Sequence, residues 1–135
     1  MIDILTQSYD EVFFWPQGFG DLDYFNSLAL STNRVNVLKS GLKSLDNILI
    51  NGGIDYVGTR LHAGIRALQY AVRTLIIGVD NRAAEMSKDI GLPVLSRSDI
   101  SSLQSYMNNN WLIDVKIKAD EIERWRDQFK NGSGR

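Results

Sequence analysis

The chain has 135 residues, 44 % hydrophobic, 10 % aromatic and 23 % charged, which is one domain's length and the balance of a chain able to bury a core without staples. Fifteen basic residues against sixteen acidic ones, a net charge of −1, leave the basic footprint of a nucleic-acid surface unsupported, and no nucleic-acid partner is expected. Cysteine is absent and His62 is the only histidine, so disulfides, thiolate nucleophiles and multi-histidine or cysteine metal sites within the chain are excluded.

Apolar periods and punctuation alternate from the start. Residues 2–9 fit the tail of a helix. Val12-Phe13-Phe14-Trp15, closed by Pro16, reads as a strand. Gln17-Gly18-Phe19-Gly20-Asp21 is a turn into the next helix. It holds a GxG but no third glycine at dinucleotide-fingerprint spacing. Asp21 to Leu30 is predicted helical, with Leu22, Phe25 and Leu28/Ala29 on one side. Arg34 to Leu38 is a second strand. Leu42, Leu45, Ile48 and Leu49 repeat at helical spacing before the stop Asn51-Gly52-Gly53.

Ile54 to Gly58 is a third strand, and Thr59 is the expected N-cap of a helix from Arg60 to about Ala71. Thr74 to Val79 is an unbroken apolar run, the mark of a strand buried on both faces of a parallel sheet. Asp80-Asn81 caps a helix ending at Gly91, before the strand Pro93-Val94-Leu95. Ser98-Asp99 opens another helix to about Met107, and Trp111-Leu112-Ile113 fits neither type clearly. Ala119 to Lys130 is the last helix, followed by a disordered tail at 131–135. The stripes Leu42/Leu45/Leu49 and Ile122/Trp125/Phe129 are expected core faces. Together these elements predict a single α/β domain over 1–130, an open parallel-sheet, Rossmann-like arrangement with right-handed crossovers and helices on both faces.

Chemistry concentrates between Asp55 and Glu85. In the helix after Gly58, Leu61, Ile65, Leu68 and Val72 form one stripe. His62, Arg66, Gln69 and Arg73 form the next, turned by about 100°. Ala63, Gly64, Ala67 and Ala71 allow close packing. Arg60 and His62 fall in the first turn, past the carboxyl end of a strand, where open parallel sheets bind ligands. A helix N-terminus attracts phosphates and carboxylates. An arginine at that positive end is mildly unfavourable, so an anionic ligand is a natural reason for it. An imidazole there suits an acid or base, although a lone histidine in a first turn is commonly only packed or solvated. Asp80-Asn81-Arg82-Ala83-Ala84-Glu85 enters a helix at a neighbouring strand end. Its first two residues are ordinary caps, Arg82 and Glu85 fit a surface i, i+3 pair, and Arg82 is also placed to be a second anion contact beside Arg60.

Asp55-Tyr56-Val57-Gly58-Thr59-Arg60-Leu61-His62, Ala67-Leu68-Gln69, Thr74-Leu75-Ile76-Ile77, Asp80-Asn81-Arg82-x-x-Glu85-Met86 and Gly91-Leu92-Pro93 together resemble the polysaccharide pyruvyl transferase family. The resemblance covers residues 55–93, and Trp15-Pro16-Gln17-Gly18 fits more loosely. It implies a two-lobed fold similar to the GT-B glycosyltransferases, of which this chain corresponds to most of the C-terminal lobe, the missing N-terminal lobe either belonging to a longer chain of which this is a fragment or being supplied by a partner. It implies transfer of a pyruvyl group from phosphoenolpyruvate, the donor substrate, to two hydroxyls of a sugar or lipid-linked saccharide, forming a ketal in exopolysaccharide or cell-surface polysaccharide synthesis. His62 would be the catalytic acid. Thr59, Arg60, Leu61, Asn81, Arg82 and Glu85 would bind substrate, without metal or other cofactor. Family members are considerably longer, so the isolated lobe is expected to turn over little.

Competing readings are a nucleotide-sugar-binding lobe of a true GT-B glycosyltransferase and a non-catalytic α/β module. A receiver-like domain is disfavoured because the first strand ends in Trp15-Pro16-Gln17 without the acidic pair a magnesium site needs. Self-association through an uncovered face is a further expectation. No apolar run approaches the roughly 18 residues of a spanning helix. The acidic opening Met1 to Glu11 lacks the basic region of a secretory leader, so a cytoplasmic location is expected.

Overall fold

The computed structural model describes residues 1–28, 34–111, 113–116 and 118–130. In chain order it contains α1 (Ile2–Ser8), β1 (Val12–Phe14), α2 (Phe19–Ser27), β2 (Val35–Val37), α3 (Leu42–Ile50), β3 (Asp55–Gly58), α4 (Leu61–Gln69), β4 (Arg73–Gly78), α5 (Asn81–Ile90), β5 (Val94–Ser96), a 3₁₀ helix (Arg97–Ser102), α6 (Leu103–Asn108) and α7 (Ala119–Lys130). Every strand pair is parallel: β1 with β2, and β3 and β5 on either side of β4.

β4 is central because its side chains are apolar on both faces. Leu75 and Ile77 pack with Leu95 and Leu103, flanked by Ile4, Ile100, Tyr106 and Trp111. Ile76 packs with Ala83 and Leu92, flanked by Leu61, Ile65 and Leu68. Successive strand residues face opposite sides, so α1, the 3₁₀ helix and α6 cover one face of β4, and α4 and α5 the other. This is the expected open Rossmann-like α/β arrangement, with helices on both faces. It differs from a continuous sheet in one respect: no ladder joins the β1–β2 pair to the three-stranded sheet among the described residues. Trp15 bridges the gap by packing. It lies against the cluster of Leu45, Leu49, Ala63, Ala67 and Val72, and its Nε1–H donates to the Gly41 carbonyl at 3.1 Å.

The central contact of α4 is made by its small residues. Ala63, Gly64 and Ala67 are buried, whereas Leu61, Ile65 and Leu68 are half-buried along one flank. A Cβ on Gly64 would lie 2.6 Å from Ile76 Cγ1, so glycine sets the spacing between α4 and β4. The helix is shorter than expected, and Val72 and Arg73 lie beyond it. Ala71 adopts φ 56; its N–H donates to Leu68 O at 2.9 Å and that of Val72 to Ala67 O at 3.0 Å. This is a Schellman closure with alanine where glycine is usual.

A polar tie closes the opposite end of the sheet from the carboxyl edge. Asp55, at the start of β3, is hydrogen-bonded to the guanidinium of Arg73, at the start of β4. It also accepts from the Tyr9 hydroxyl at 2.5 Å. The Arg73 guanidinium lies 4.1 Å from the centroid of the Trp111 ring, and Trp111 Nε1–H donates to Thr74 O at 3.1 Å. Tyr9 follows α1, so this cluster ties the first helix and residue 111 to the sheet.

Several expected boundaries and faces move. α2 begins at Phe19 with Gly18 as N-cap; of its predicted apolar side, Phe25 is buried while Leu22 and Leu28 are exposed. Ala29 and Leu30 lie outside the described residues. The helix expected from Ser98 is a 3₁₀ helix capped by Ser96, followed by α6. Leu45 and Leu49 are core, but Leu42 is 58 % exposed and Ile122 47 % exposed. The side chains of Trp125 and Phe129, Leu112, and the tail 131–135 lie outside the described residues. Among those described, no helix is long and apolar enough to cross a membrane.

Candidate functional site

In a parallel sheet the carboxyl ends of all strands share one edge. There, Gln17, Thr59, Arg60, Leu61, His62, Val79, Asp80, Arg82 and Ala83 line a cleft of about 250 Å³. Three turns build it: β1 to α2 (Gln17), β3 to α4 (Thr59 to His62) and β4 to α5 (Val79 to Ala83). The shape of each turn follows from local chemistry.

The β3–α4 turn is set by Tyr56 and Gly58. The Tyr56 hydroxyl donates to the Arg60 carbonyl at 3.2 Å. A Cβ on Gly58 would lie 2.5 Å from that hydroxyl, so the ring passes where only glycine leaves room. Burial pushes the Tyr56 hydroxyl up to about 12, so at neutral pH it remains a donor. The Arg60 carbonyl also accepts the first helical bond, from Gly64 N–H at 3.1 Å. Arg60 is therefore the N-cap of α4, without a side-chain cap. The expectation of Thr59 as cap is corrected. Thr59 sits one residue outside, because the Tyr56 bond anchors the helix start at Arg60, and its exposed side chain lines the cleft instead.

The β4–α5 turn follows the expected capping. Asp80 Oδ1 accepts the Arg82 N–H at 3.1 Å and the Ala83 N–H at 3.4 Å. Arg82 Nη2 is 3.0 Å from Asp80 Oδ2, so its ion pair is with the cap rather than with Glu85. The Arg82 bonds and the cap bonds hold the Asp80 carboxyl below the usual carboxylate range.

Of the expected site residues, the cleft brings together Thr59, Arg60, Leu61, His62 and Arg82. Asn81 and Glu85, both exposed on α5, are not part of its lining. His62, in the first turn of α4, is exposed. Gln17, Val79, Asp80 and Ala83 complete the wall. Gln17 and Asp80 had a sequence signal, since Gln17 lies in the turn after β1 and Asp80 directly follows the apolar run of β4.

Both arginines carry a protein carboxylate. Arg60 Nη2 lies 3.0 Å from Asp21 Oδ1, and Arg82 pairs with Asp80. Asp21 thereby already supplies the negative charge that an arginine at a helix N-terminus calls for. What the cleft offers chemically is two guanidiniums, an imidazole and a hydroxyl on one edge, at the N-terminal ends of two helices. Guanidiniums bind planar carboxylates and phosphates by paired hydrogen bonds. Among the described residues no group of three or more histidine, aspartate or glutamate side chains could hold a metal ion. Comparison with family models, with curated proteins and with solved structures returns no match.

Proposed function

We propose that the cleft is an anion site for a small phosphorylated carboxylate, and that the chain supplies the donor half of a pyruvyl transferase acting on phosphoenolpyruvate and a saccharide acceptor. The observation that carries the reading is the meeting of Thr59, Arg60, Leu61, His62 and Arg82, from two separate turns, around one cleft. The resemblance in residues 55–93 supports the donor's identity.

In this reading Arg60 and Arg82 hold the donor's anionic groups and His62 is the acid. Protonation of the donor's methylene carbon leaves an oxocarbenium centre. One sugar hydroxyl adds there and loses its proton, phosphate departs as its C–O bond breaks, and a second hydroxyl adds to close the ketal. Of the two hydroxyl protons, one replaces the proton taken from the acid and the other leaves with phosphate.

The test is an NMR titration of the labelled protein with phosphoenolpyruvate, following the amides of Thr59 to His62 and of Asn81 and Arg82. Saturable shifts that disappear in Arg60→Ala are expected. Silence at millimolar ligand, or shifts that survive Arg60→Ala, would overturn the donor-site reading. Tighter binding of a nucleotide-sugar than of phosphoenolpyruvate at the same amides would favour a glycosyltransferase lobe.

A further inference from the structure

We infer that the Asp21 carboxylate is a built-in counter-ion of Arg60, which an incoming phosphate must displace and which holds down the anion affinity of the cleft. The inference rests on the anion-site reading above and adds the control of that site.

The pair is a product of the fold. Asp21 and Arg60 are 39 positions apart, and Arg60 Nη2 approaches Oδ1 at 3.0 Å and Oδ2 at 3.4 Å. The contact links the first turn of α2 to the N-cap of α4. Arg60 lines the cleft and Asp21 does not, so the carboxylate holds the guanidinium from outside the space a ligand would fill. Asp21 is itself anchored: Oδ2 accepts the N–H of Gln17 at 2.9 Å and of Gly18 at 2.8 Å. It therefore keeps two backbone donors if Arg60 turns to a ligand. Arg60 has no second ion pair among the described residues, and its side chain is 55 % exposed, so it is free to turn.

The exchange is balanced. One charge-assisted pair breaks and another forms, and a phosphate matches the guanidinium as well as a carboxylate does. Asp80 differs. It pairs with Arg82 only two positions away and caps α5 with the same carboxylate, so its presence is explained by the helix start. The Gln17 and Gly18 bonds of Asp21 serve the α2 turn, but the reach to Arg60 adds nothing to that turn.

The experiment titrates inorganic phosphate at fixed low ionic strength into the wild type, Asp21→Asn, Arg60→Ala and the double variant, following the amides of Arg60 to His62. Asparagine keeps an oxygen for the Gln17 and Gly18 N–H groups and removes the charge. Phosphate is expected to bind about fivefold more tightly to Asp21→Asn, equivalent to about 1 kcal/mol for an exposed pair, and not to bind in either Arg60→Ala background. Equal or weaker binding in Asp21→Asn, with Arg60-dependent binding present in the wild type, would overturn the counter-ion role and leave the anion site standing. So would tightening that persists without Arg60. Absence of Arg60-dependent binding in every variant would overturn both. A second readout needs no variant. The Asp21 side-chain carboxyl ¹³C signal of the wild type should shift on adding phosphate with the same midpoint as the Arg60 amide. A carboxyl that stays unmoved while the amide titrates refutes displacement.

Discussion

Gly64→Ala tests whether the close approach of α4 to β4 contributes to stability. In an open helical position, glycine to alanine stabilises by up to about 1 kcal/mol. Here the new methyl would stand 2.6 Å from Ile76 Cγ1 and 2.7 Å from Cδ1. Ordinary carbon contacts lie at about 3.5–4.0 Å, so roughly an ångström must be found. Ile76 cannot yield it cheaply: it is 0 % exposed and packed with Ala83 and Leu92. Overpacking of this kind costs about 1–3 kcal/mol. After the helical gain, a net loss of up to about 2 kcal/mol is expected, lowering the melting temperature. The control is Gly20→Ala in α2, where the added methyl meets nothing within 4 Å and stability should be kept or raised. Urea unfolding of both, and of Gly64→Ala combined with Ile76→Val, completes the test. Removing Cδ1 should recover part of the loss, so the two substitutions should be non-additive. A Gly64→Ala protein more stable than wild type, or strict additivity with Ile76→Val, would refute the reasoning.

Two further outcomes follow from the same geometry. Ala71 holds a left-handed conformation that costs alanine about 1–2 kcal/mol, so Ala71→Gly should stabilise the fold by up to about 1 kcal/mol after the greater freedom of glycine in the unfolded chain is subtracted, and so raise the urea midpoint; a fall would deny the Schellman closure. The Asp55 cluster should make stability pH-dependent at both extremes. Burial pushes the Asp55 carboxyl up, but bonds from Arg73 and Tyr9 outweigh it and the net shift is downward. Its contribution is thus present above the ordinary carboxyl range, at about 3.9, and is lost as pH falls through the lowered folded value. Tyr9 is pushed up to about 12, first by burial and then by Asp55. Its contribution is present below the ordinary phenol value of about 10 and lost as pH rises through 12. Melting curves of wild type and Tyr9→Phe across pH 9–12 check the alkaline arm, which the variant should flatten; identical slopes would exclude Tyr9 as a source.

Much of the site was legible because parallel strands end on one edge. Once Ile54 to Gly58 and Thr74 to Val79 are read as strands, the residues after each fall near one another, and the sequence alone groups Arg60, His62 and Arg82. The Asp80 cap and the Gly91 stop were likewise legible, since both depend on a few adjacent residues. Asp21 was not. It was recognised as a turn residue, but its reach to Arg60 depends on how the β1–α2 turn sits against the larger sheet, which no local spacing encodes. The Thr59 expectation failed for a similar reason. Both Thr59 and Arg60 can precede a helix, and the choice was made by a hydroxyl from Tyr56 on the preceding strand.

Periodicity and punctuation in the chain alone determined the order in which most helices and strands follow one another, that β4 is covered on both faces, and that glycine or aspartate punctuates the turns. These depend on interactions between residues a few positions apart. Tertiary structure decided that the strands divide into two sheets, that small residues form the α4 contact, that Leu42 and Ile122 stay exposed, and that Arg60 meets the Asp21 carboxylate. Those outcomes turn on distances of a few ångströms between segments far apart in sequence, where packing space and charge pairing outweigh local preference.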